Sequence, residues 1–505
     1  MYIEPNSNIK IYHNVPLDNT YNHTLYFNTL AEQNTYFHGN QNIIKYNLTA
    51  QSYQRVVKGS MRVAVKADNL YDCNYLAFQN ASFGTKWFYA FITGVEYVNN
   101  ETSEITFEID VMQTYFFDTT LKRCYVEREH SITDVAGDNI VAENIDIGDI
   151  TCNAISGSGH FSQYVAVIAS AYNPNGQAGG YQGGLFSGVY YSAGAINNSE
   201  QVKTLLDYLD AVVDANHQDS VVSIFIMPEE FYTTGATPSV QVSKVQKNNS
   251  LHGYTPRNKK LLTYPYNYLS VDCGNNDAIY RYEWFNSGEY CDFELVGTVS
   301  CNPQVMLVPK AYNGVGGDGY NYVEKLVMSD FPQVAWSIDS FRAWLAQEAS
   351  TTALQGIASG ASLAMGAISG NPAGIAGGAM GLASTANSVI LATNRPPQAK
   401  GTNSGTIDVA SRTKDFYFRQ MQISAEYARV IDDYFDMYGY ATRRVKIPNR
   451  SARPHWNYVK THGCVLSGNA PADDVRKICG IYDNGITFWK SANEVGNYSL
   501  DNSPR

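Results

Sequence analysis

The sequence predicts a mainly β protein with some α, in which a mixed α/β region separates two β-rich chain ends. Three observations predict it. Apolar and polar residues alternate at every second position in runs within the first 150 residues, such as 61–66 and 105–111. A composition of 38 Tyr and 40 Gly with only 16% charged residues favours pleated, half-buried surfaces joined by turns. Helical periodicity is clear in only two segments, one after Ser199 and one after Ser424. At about 100–200 residues per domain, 505 residues make two to four domains, and 44% hydrophobic content excludes a disordered chain.

The organisation expected along the chain is 1–150, 151–348, 349–400 and 401–505. In the first part, Met61, Val63 and Val65 alternate with polar neighbours, as do Ile105, Phe107, Ile109 and Val111, which predicts strands with one wet face. Lys86–Thr93 is apolar on both faces, as a central strand is, and Asn99-Asn100 offers a turn. In the second part, strands are predicted at Tyr164–Ser170, Val221–Met227, Phe293–Val299 and Val305–Pro309. A helix capped by Ser199 carries Val202, Leu205, Leu206, Leu209, Val212 and Val213 as its stripe. The Gly-rich runs 176–184 and 314–319 lack phosphate-loop endings and read as turns. The last part opens with a strand through Phe416, Phe418, Gln420 and Gln422. A helix over Ala425–Tyr438 follows, with an apolar face of Tyr427, Val430, Ile431, Tyr434 and Phe435, and Gly439 stops it.

Charge is segregated. Twelve acids and one base, Lys203, lie between Ser131 and Ser243, so this segment holds the chain's whole net charge of −11. Ala441–Lys460 carries Arg443, Arg444, Lys446, Arg450, Arg453 and Lys460 with no acid. Blocks of one sign are solvated surface, an interface or a channel wall. The overall balance excludes a basic nucleic-acid binder. Eight cysteines without CxxC spacing indicate neither a zinc module nor a disulfide scaffold, and the first ten residues have no signal-peptide pattern. A cytosolic origin with free thiols is expected.

The most informative stretch has no charge at all. From 349 to 394, between Glu348 and Arg395, there is no Asp, Glu, Lys or Arg. Leu354, Ile357, Leu363, Met365, Ile368, Ile375, Met380, Leu382, Val389, Ile390 and Leu391 supply an apolar surface. Gly356, Gly360, Gly366, Gly370, Gly374 and Gly378 recur at spacings that include four, about one helical turn, and let two backbones approach. Pro372 disfavours helix at Asn371, so a bend there makes a hairpin of two segments, Thr352–Ser369 and Ala373–Thr393. Each is close to the ~20 residues that span a hydrocarbon core as helix. A buried core hairpin would hold more Leu and less Gly, and a linker would be more polar. The composition fits a segment that is shielded in one state and enters a bilayer in another.

Catalytic constellations are missing. His455, His462, Cys464 and Cys479 follow the spacing H-x6-H-x-C-x14-C, which matches no common metal module, and read as buried polar core. Glu127-Arg-Glu-His130 reads as a surface or inter-subunit salt-bridge cluster. Asp432 and Asp433 diverge by about 100° on a helix, too far to share a site. No nucleophile elbow and no HExxH occurs. The chain reads as no enzyme, with no catalytic residue, no metal site and no cofactor.

Several strings resemble one family. Phe78-Gln-Asn-Ala81, Gly84-Thr-Lys-Trp-Phe-Tyr-Ala-Phe91, Phe107-Glu-Ile-Asp-Val111 with Gln113-Thr114, and Arg128-Glu-His130 lie at one end. Ala425-Glu-Tyr427, Tyr438-Gly-Tyr440, Arg444-Val-Lys446, Pro448-Asn449, Trp456-Asn-Tyr-Val459, Asp483-Asn-Gly-Ile486, Trp489 and Val495-Gly-Asn-Tyr-Ser499 lie at the other. Together they are similar to the tail knob (distal tail-tube) proteins of small short-tailed phages of the picovirus type. The match covers about 1–130 and 415–505; residues 131–345 carry none of these strings. The resemblance implies a tail-tube, β-barrel-like domain made from both chain ends, a mixed α/β insertion as the distal knob, and a hexameric tube at the virion tail tip. It implies contact with a tail connector or lower collar protein, and passage of double-stranded DNA without specific binding. It also implies that the apolar loop plugs the tube and then forms a pore in the host membrane. The alternative is a tail-tip receptor-binding or cell-wall-degrading protein.

Overall fold

A five-stranded sheet draws its strands from both ends of the chain. Its order is Thr24–Leu25, Ile486–Trp489, Trp456–His462, Cys124–Glu129, Tyr440–Lys446. Thr24 pairs in parallel with Phe488, and the other pairings are antiparallel, with Val459 opposite Glu129 and Ala441 opposite Arg128. A second sheet of six strands is entirely N-terminal, in the order Ile44–Gln51, Ser7–His13, Cys73–Asn80, Phe88–Asn99, Thr102–Ile109, Ser60–Val63. This computed structural model describes residues 6–51, 59–80, 84, 86–157, 164–174, 188–195, 198–233, 239–241, 244–274, 276–286, 288–298, 300–301, 303–329, 331 and 415–504.

The chain divides into two units. The first comprises Met1–Gly148, Tyr254–Leu261 and Ala425–Arg505. Its core joins Tyr12, Phe37 and Tyr75 from one chain end to Trp456, Tyr482, Phe488 and Trp489 from the other. The Trp456 and Trp489 rings lie 5.2 Å apart, and Tyr498 packs edge-on to both at 5.1 Å. Burying such large rings is a main source of stability. The Trp456 indole N–H donates to the Asp436 carbonyl at 2.6 Å, so its polar atom is not stranded.

The second unit comprises Asp149–Gly253 and Leu262–Ser424. Tyr164–Ser170 is buried along its whole length between Tyr190–Ala195 and Val221–Pro228. The Ser199–Asp214 helix buries Leu205, Leu209 and Val212 in the same apolar cluster. One four-stranded sheet has the order Ser239–Gln241, Phe293–Thr298, Gln304–Pro309, Leu326–Met328. Another has the order Ile150–Gly157, Tyr417–Ile423, Asn267–Asp272, Asp277–Tyr280.

Three local readings need correction. The strand read through Val111 ends at Ile109, because Asp110 accepts from the Gln113 N–H and caps a short helix, Val111–Tyr115. Asn198, not Ser199, caps the 199–214 helix, accepting from the N–H groups of Glu200 and Gln201. The 425–438 helix does end at Gly439, whose φ of +67° and 2.3 Å approach of a Cβ to the Glu129 carbonyl exclude a side chain. Its buried face differs from the one expected, however. Val430 is 65% exposed, whereas Ala428, Ile431, Asp432, Phe435 and Asp436 are buried, so two carboxylates sit in the stripe. The run 176–184 lies outside the described residues, and Val315 N–H bonded to the Tyr312 carbonyl places a turn at the start of 314–319.

His130 is 1% exposed beneath the five-stranded sheet. Its Nδ1 accepts the Tyr458 N–H at 2.8 Å, so the proton is on Nε2, 2.9 Å from the Asp436 carbonyl. Burial, with Arg453 nearby, pushes its pKa down to about 3. Below the ordinary pH of about 6.5 the unfolded chain therefore takes up a proton that the folded chain refuses until about 3. Stability from this group is present above 6.5 and falls with pH across that window, by up to about 1.4 kcal/mol per unit. Asp110, raised by burial to about 6, acts in the opposite sense: its contribution is present below the unfolded value and lost as pH rises through 6. Replacing His130→Gln therefore flattens the acid limb of urea-unfolding stability measured from pH 7 to 4; an unchanged slope contradicts it. Trp456→Ala is expected to cost about 3–5 kcal/mol by the same measurement at pH 7.

Candidate functional site

The eleven apolar positions from Leu354 to Leu391, the Asn371-Pro372 bend and the glycines from Gly356 to Gly378 lie outside the described residues. Among the described residues no helix is long and apolar enough to cross a membrane. What the structure places is the pair of anchors on either side.

On the entry side, Leu326–Met328 is the edge strand of its sheet, with Met328 opposite Val305. Asn276 Nδ2 donates to the Val327 carbonyl at 2.7 Å, and Phe331 is buried. On the return side, Phe416 and Phe418 are buried as the chain enters Tyr417–Ile423, a central strand. Its partners are Ile150–Gly157 and Asn267–Asp272. Arg419 pairs with Asp272 at 2.8 Å, and Gln422 is held by the Ser250 carbonyl and the His252 N–H. Leu326, Met328, Phe331, Phe416 and Phe418 belong to one buried apolar cluster, in which the Phe418 and Phe293 rings lie 5.3 Å apart. Phe331, before the uncharged segment, and Phe416, after it, are thus held in the same core.

A second constellation, in the unit built from the chain ends, accounts for the acids on the 425–438 helix. Asp432 accepts from the Tyr254 hydroxyl at 2.7 Å, from the N–H groups of Arg257 and Asn258 at 2.8 and 2.9 Å, and from Asn258 Nδ2 at 2.8 Å. Asn258 also donates to Asp436, and Arg257 Nη1 lies 2.7 Å from the Asp436 carboxylate. Burial raises the Asp436 pKa to about 6 despite these partners. Asp433 is exposed, yet Arg257 reaches it as well as Asp432. The two carboxylates do diverge, but one long guanidinium side chain spans the angle.

Next to this, Glu143 accepts from Lys260 Nζ at 2.6 Å and the Ala441 N–H at 2.8 Å, and pairs with Arg128. Asp134 lies 2.6 Å from the Tyr440 hydroxyl and accepts the Lys259 N–H at 2.9 Å. These two acids are structural, whereas Asp138, Asp146 and Asp149 are exposed. Glu129 and His130 are buried and Glu127 meets Lys460 at 3.1 Å, so the Glu127–His130 cluster is partly interior and paired within the chain. His455 meets Glu494 at 3.0 Å, and the Cys464 N–H donates to Asp483. Among the described residues no three His, Cys, Asp or Glu are placed to hold a metal ion. Tyr254, Arg257 and Asn258 were not singled out in the sequence; the readable signal was a pair of acids, Asp432 and Asp436, one turn apart inside an apolar stripe. The arrangement is a static clamp, since each buried carboxylate is held by several fixed donors.

Comparison with known proteins agrees with both ends and reaches the middle. Residues 5–120 match the model of the caudoviral major tail protein N-terminus. Tail knob protein gp9 of Bacillus phage PZA and that of Bacillus phage phi29 are each 25% identical to this chain, over 99% of both chains. The structure of the bacteriophage C1 tail knob protein, gp12, is similar with a TM-score of 0.59 at 16% identity, covering 98% of this chain and 99% of that one. These relatives are named as tail knob proteins and none as an enzyme. The model of the C-terminal domain of the Bacillus phage phi29 tail knob protein gp9 matches residues 231–503, beginning inside the stretch where no motif was found. With more than half its length in that match, the chain belongs to the phi29 gp9 family of tail knob proteins, structural components of the phage tail.

Proposed function

We propose that this tail knob protein forms a hexameric distal tube that conducts the genome. In this reading its uncharged segment 349–394 plugs the lumen and, on ejection, inserts into the host membrane as a pore. The tube wall is built by 1–150 and 401–505, the knob by 151–348. The observation that carries the reading is the pinning of both anchors, Phe331 and Phe416, in one buried cluster, with 46 uncharged residues between Glu348 and Arg395. A segment whose flanking anchors sit in one core can exchange lumen for bilayer without unfolding that core. Six such segments exposed to water would exceed the few hundred Å² of contiguous apolar surface that a soluble protein tolerates, which favours their shielding before release. Insertion is driven by side chains such as Leu363, Ile368, Leu382 and Ile390, at about 1.5–3 kcal/mol for each one fully buried.

A peptide of residues 349–394 is expected to release dye from loaded liposomes. A Leu363→Asp/Leu382→Asp version is expected not to, since each charge at the bilayer centre opposes insertion by ~2.5–3.5 kcal/mol. Silence of the first peptide, or equal release by the second, removes the membrane role. Electron micrographs of the purified full chain are expected to show six-fold rings or short tubes. Lysis of host cell walls by the purified protein would instead favour a wall-degrading role.

A further inference from the structure

Two surfaces of the unit built from the chain ends complement each other. The first is the outer end of the hairpin formed by Phe88–Asn99 and Thr102–Ile109. Tyr97 is 59% exposed and Val98 39% exposed there. Glu96 and Glu101 flank them, exposed and without an ion pair among the described residues. Neighbouring charges already cancel, Arg62 with Glu104 and Lys66 with Asp68, so the tip keeps two negative charges.

The second surface is the Tyr440–Lys446 edge strand and the start of its neighbour, Cys124–Glu129. Val445 is 63% exposed opposite Tyr125, and Ile447 follows at 56%. Arg123, Arg443 and Arg444 are exposed here with no ion pair among the described residues, while Lys446 and Lys460 are neutralised by Glu129 and Glu127. The ladder is bulged between Ala441 and Arg444, and Arg443 has a φ of +46°. A bulge and charged side chains protect an edge against strand addition, so whatever docks here does so through side chains.

We propose that the acidic, apolar hairpin tip of one copy seats on the basic, apolar edge of a second copy, with Glu96 and Glu101 against Arg123 and Arg443 and with Tyr97 and Val98 against Tyr125 and Val445. The occupant is this chain itself because charge and apolar surface match between two exposed patches of one molecule. Since the patches differ, the contact is head-to-tail, and repetition closes a ring where the rotation allows. The inference rests on the ring reading above and names its interface.

The test is a charge exchange in the full chain, read by light scattering and electron microscopy at physiological salt. Glu96→Arg/Glu101→Arg and Arg123→Glu/Arg443→Glu are each expected to raise the assembly midpoint concentration by roughly tenfold or more, because like charges then face each other. The chain carrying all four changes is expected to assemble again, which a merely misfolded variant would not do. Rings that persist unchanged in both double variants overturn this interface and leave the ring reading intact. Failure of the four-fold exchange to restore assembly, with circular dichroism like that of the unchanged chain, also overturns it. A monomeric unchanged chain overturns the interface and the ring reading together.

Discussion

The structure depends on the insertion of Cys124–Glu129 between Trp456–His462 and Tyr440–Lys446. This brings Arg128 Nη1 within 2.6 Å of the Gly439 carbonyl, 311 positions away in sequence. Without that strand, Trp456–His462 and Tyr440–Lys446 have no common neighbour, and the pairing between chain ends left in this sheet is that of Thr24–Leu25 with Ile486–Trp489. The entropy of closing a loop grows only logarithmically, by about 0.6 kcal/mol for each doubling of length. A long excursion between Glu129 and Tyr440 is therefore tolerated once the ends pair. This is why one chain can carry a unit built from its two ends and a separate apolar core in between.

Polar groups hold that closure in register. Asp432, Asp436, Glu143 and His130 are buried and surrounded by fixed partners from Tyr254–Leu261, the 425–438 helix and the flanking strands. Well-paired buried ions add little net stability over apolar packing, but removing one partner leaves an uncompensated charge worth about 3–5 kcal/mol. Their contribution is selectivity: a shifted helix would leave Asp432 without the Tyr254 hydroxyl and the Arg257 and Asn258 N–H groups. Belonging to the tail knob family gives this economy a context. The ends make one sheet and one core, while Phe331 and Phe416, which precede and follow the uncharged segment in sequence, belong to the other core.

Strands were legible where their signal is local. Tyr164–Ser170 was bounded to the residue by its apolar run and flanking turns, and Gly439 was readable as a helix stop. The expected buried face of the 425–438 helix failed because Arg257 and Asn258, about 175 positions earlier, make it favourable to bury Asp432 in place of Val430. Val111 was misread because period-two alternation continues through Asp110, which spends its side chain on a helix cap. The clamp residues Tyr254, Arg257 and Asn258 carry no local mark, since their role exists only once the chain ends meet. The apolar segment was legible by composition alone, because an absence of charge over 46 positions needs no partner to be seen.

Native-state hydrogen exchange tests the central claim, that the two chain ends form one cooperative unit. Amides of Leu25, Val126, Val459 and Phe488, drawn from four strands of the five-stranded sheet, are predicted to open with one shared free energy. Protection of Val126 that is lost in an opening which leaves Val459 and Phe488 protected would contradict the account.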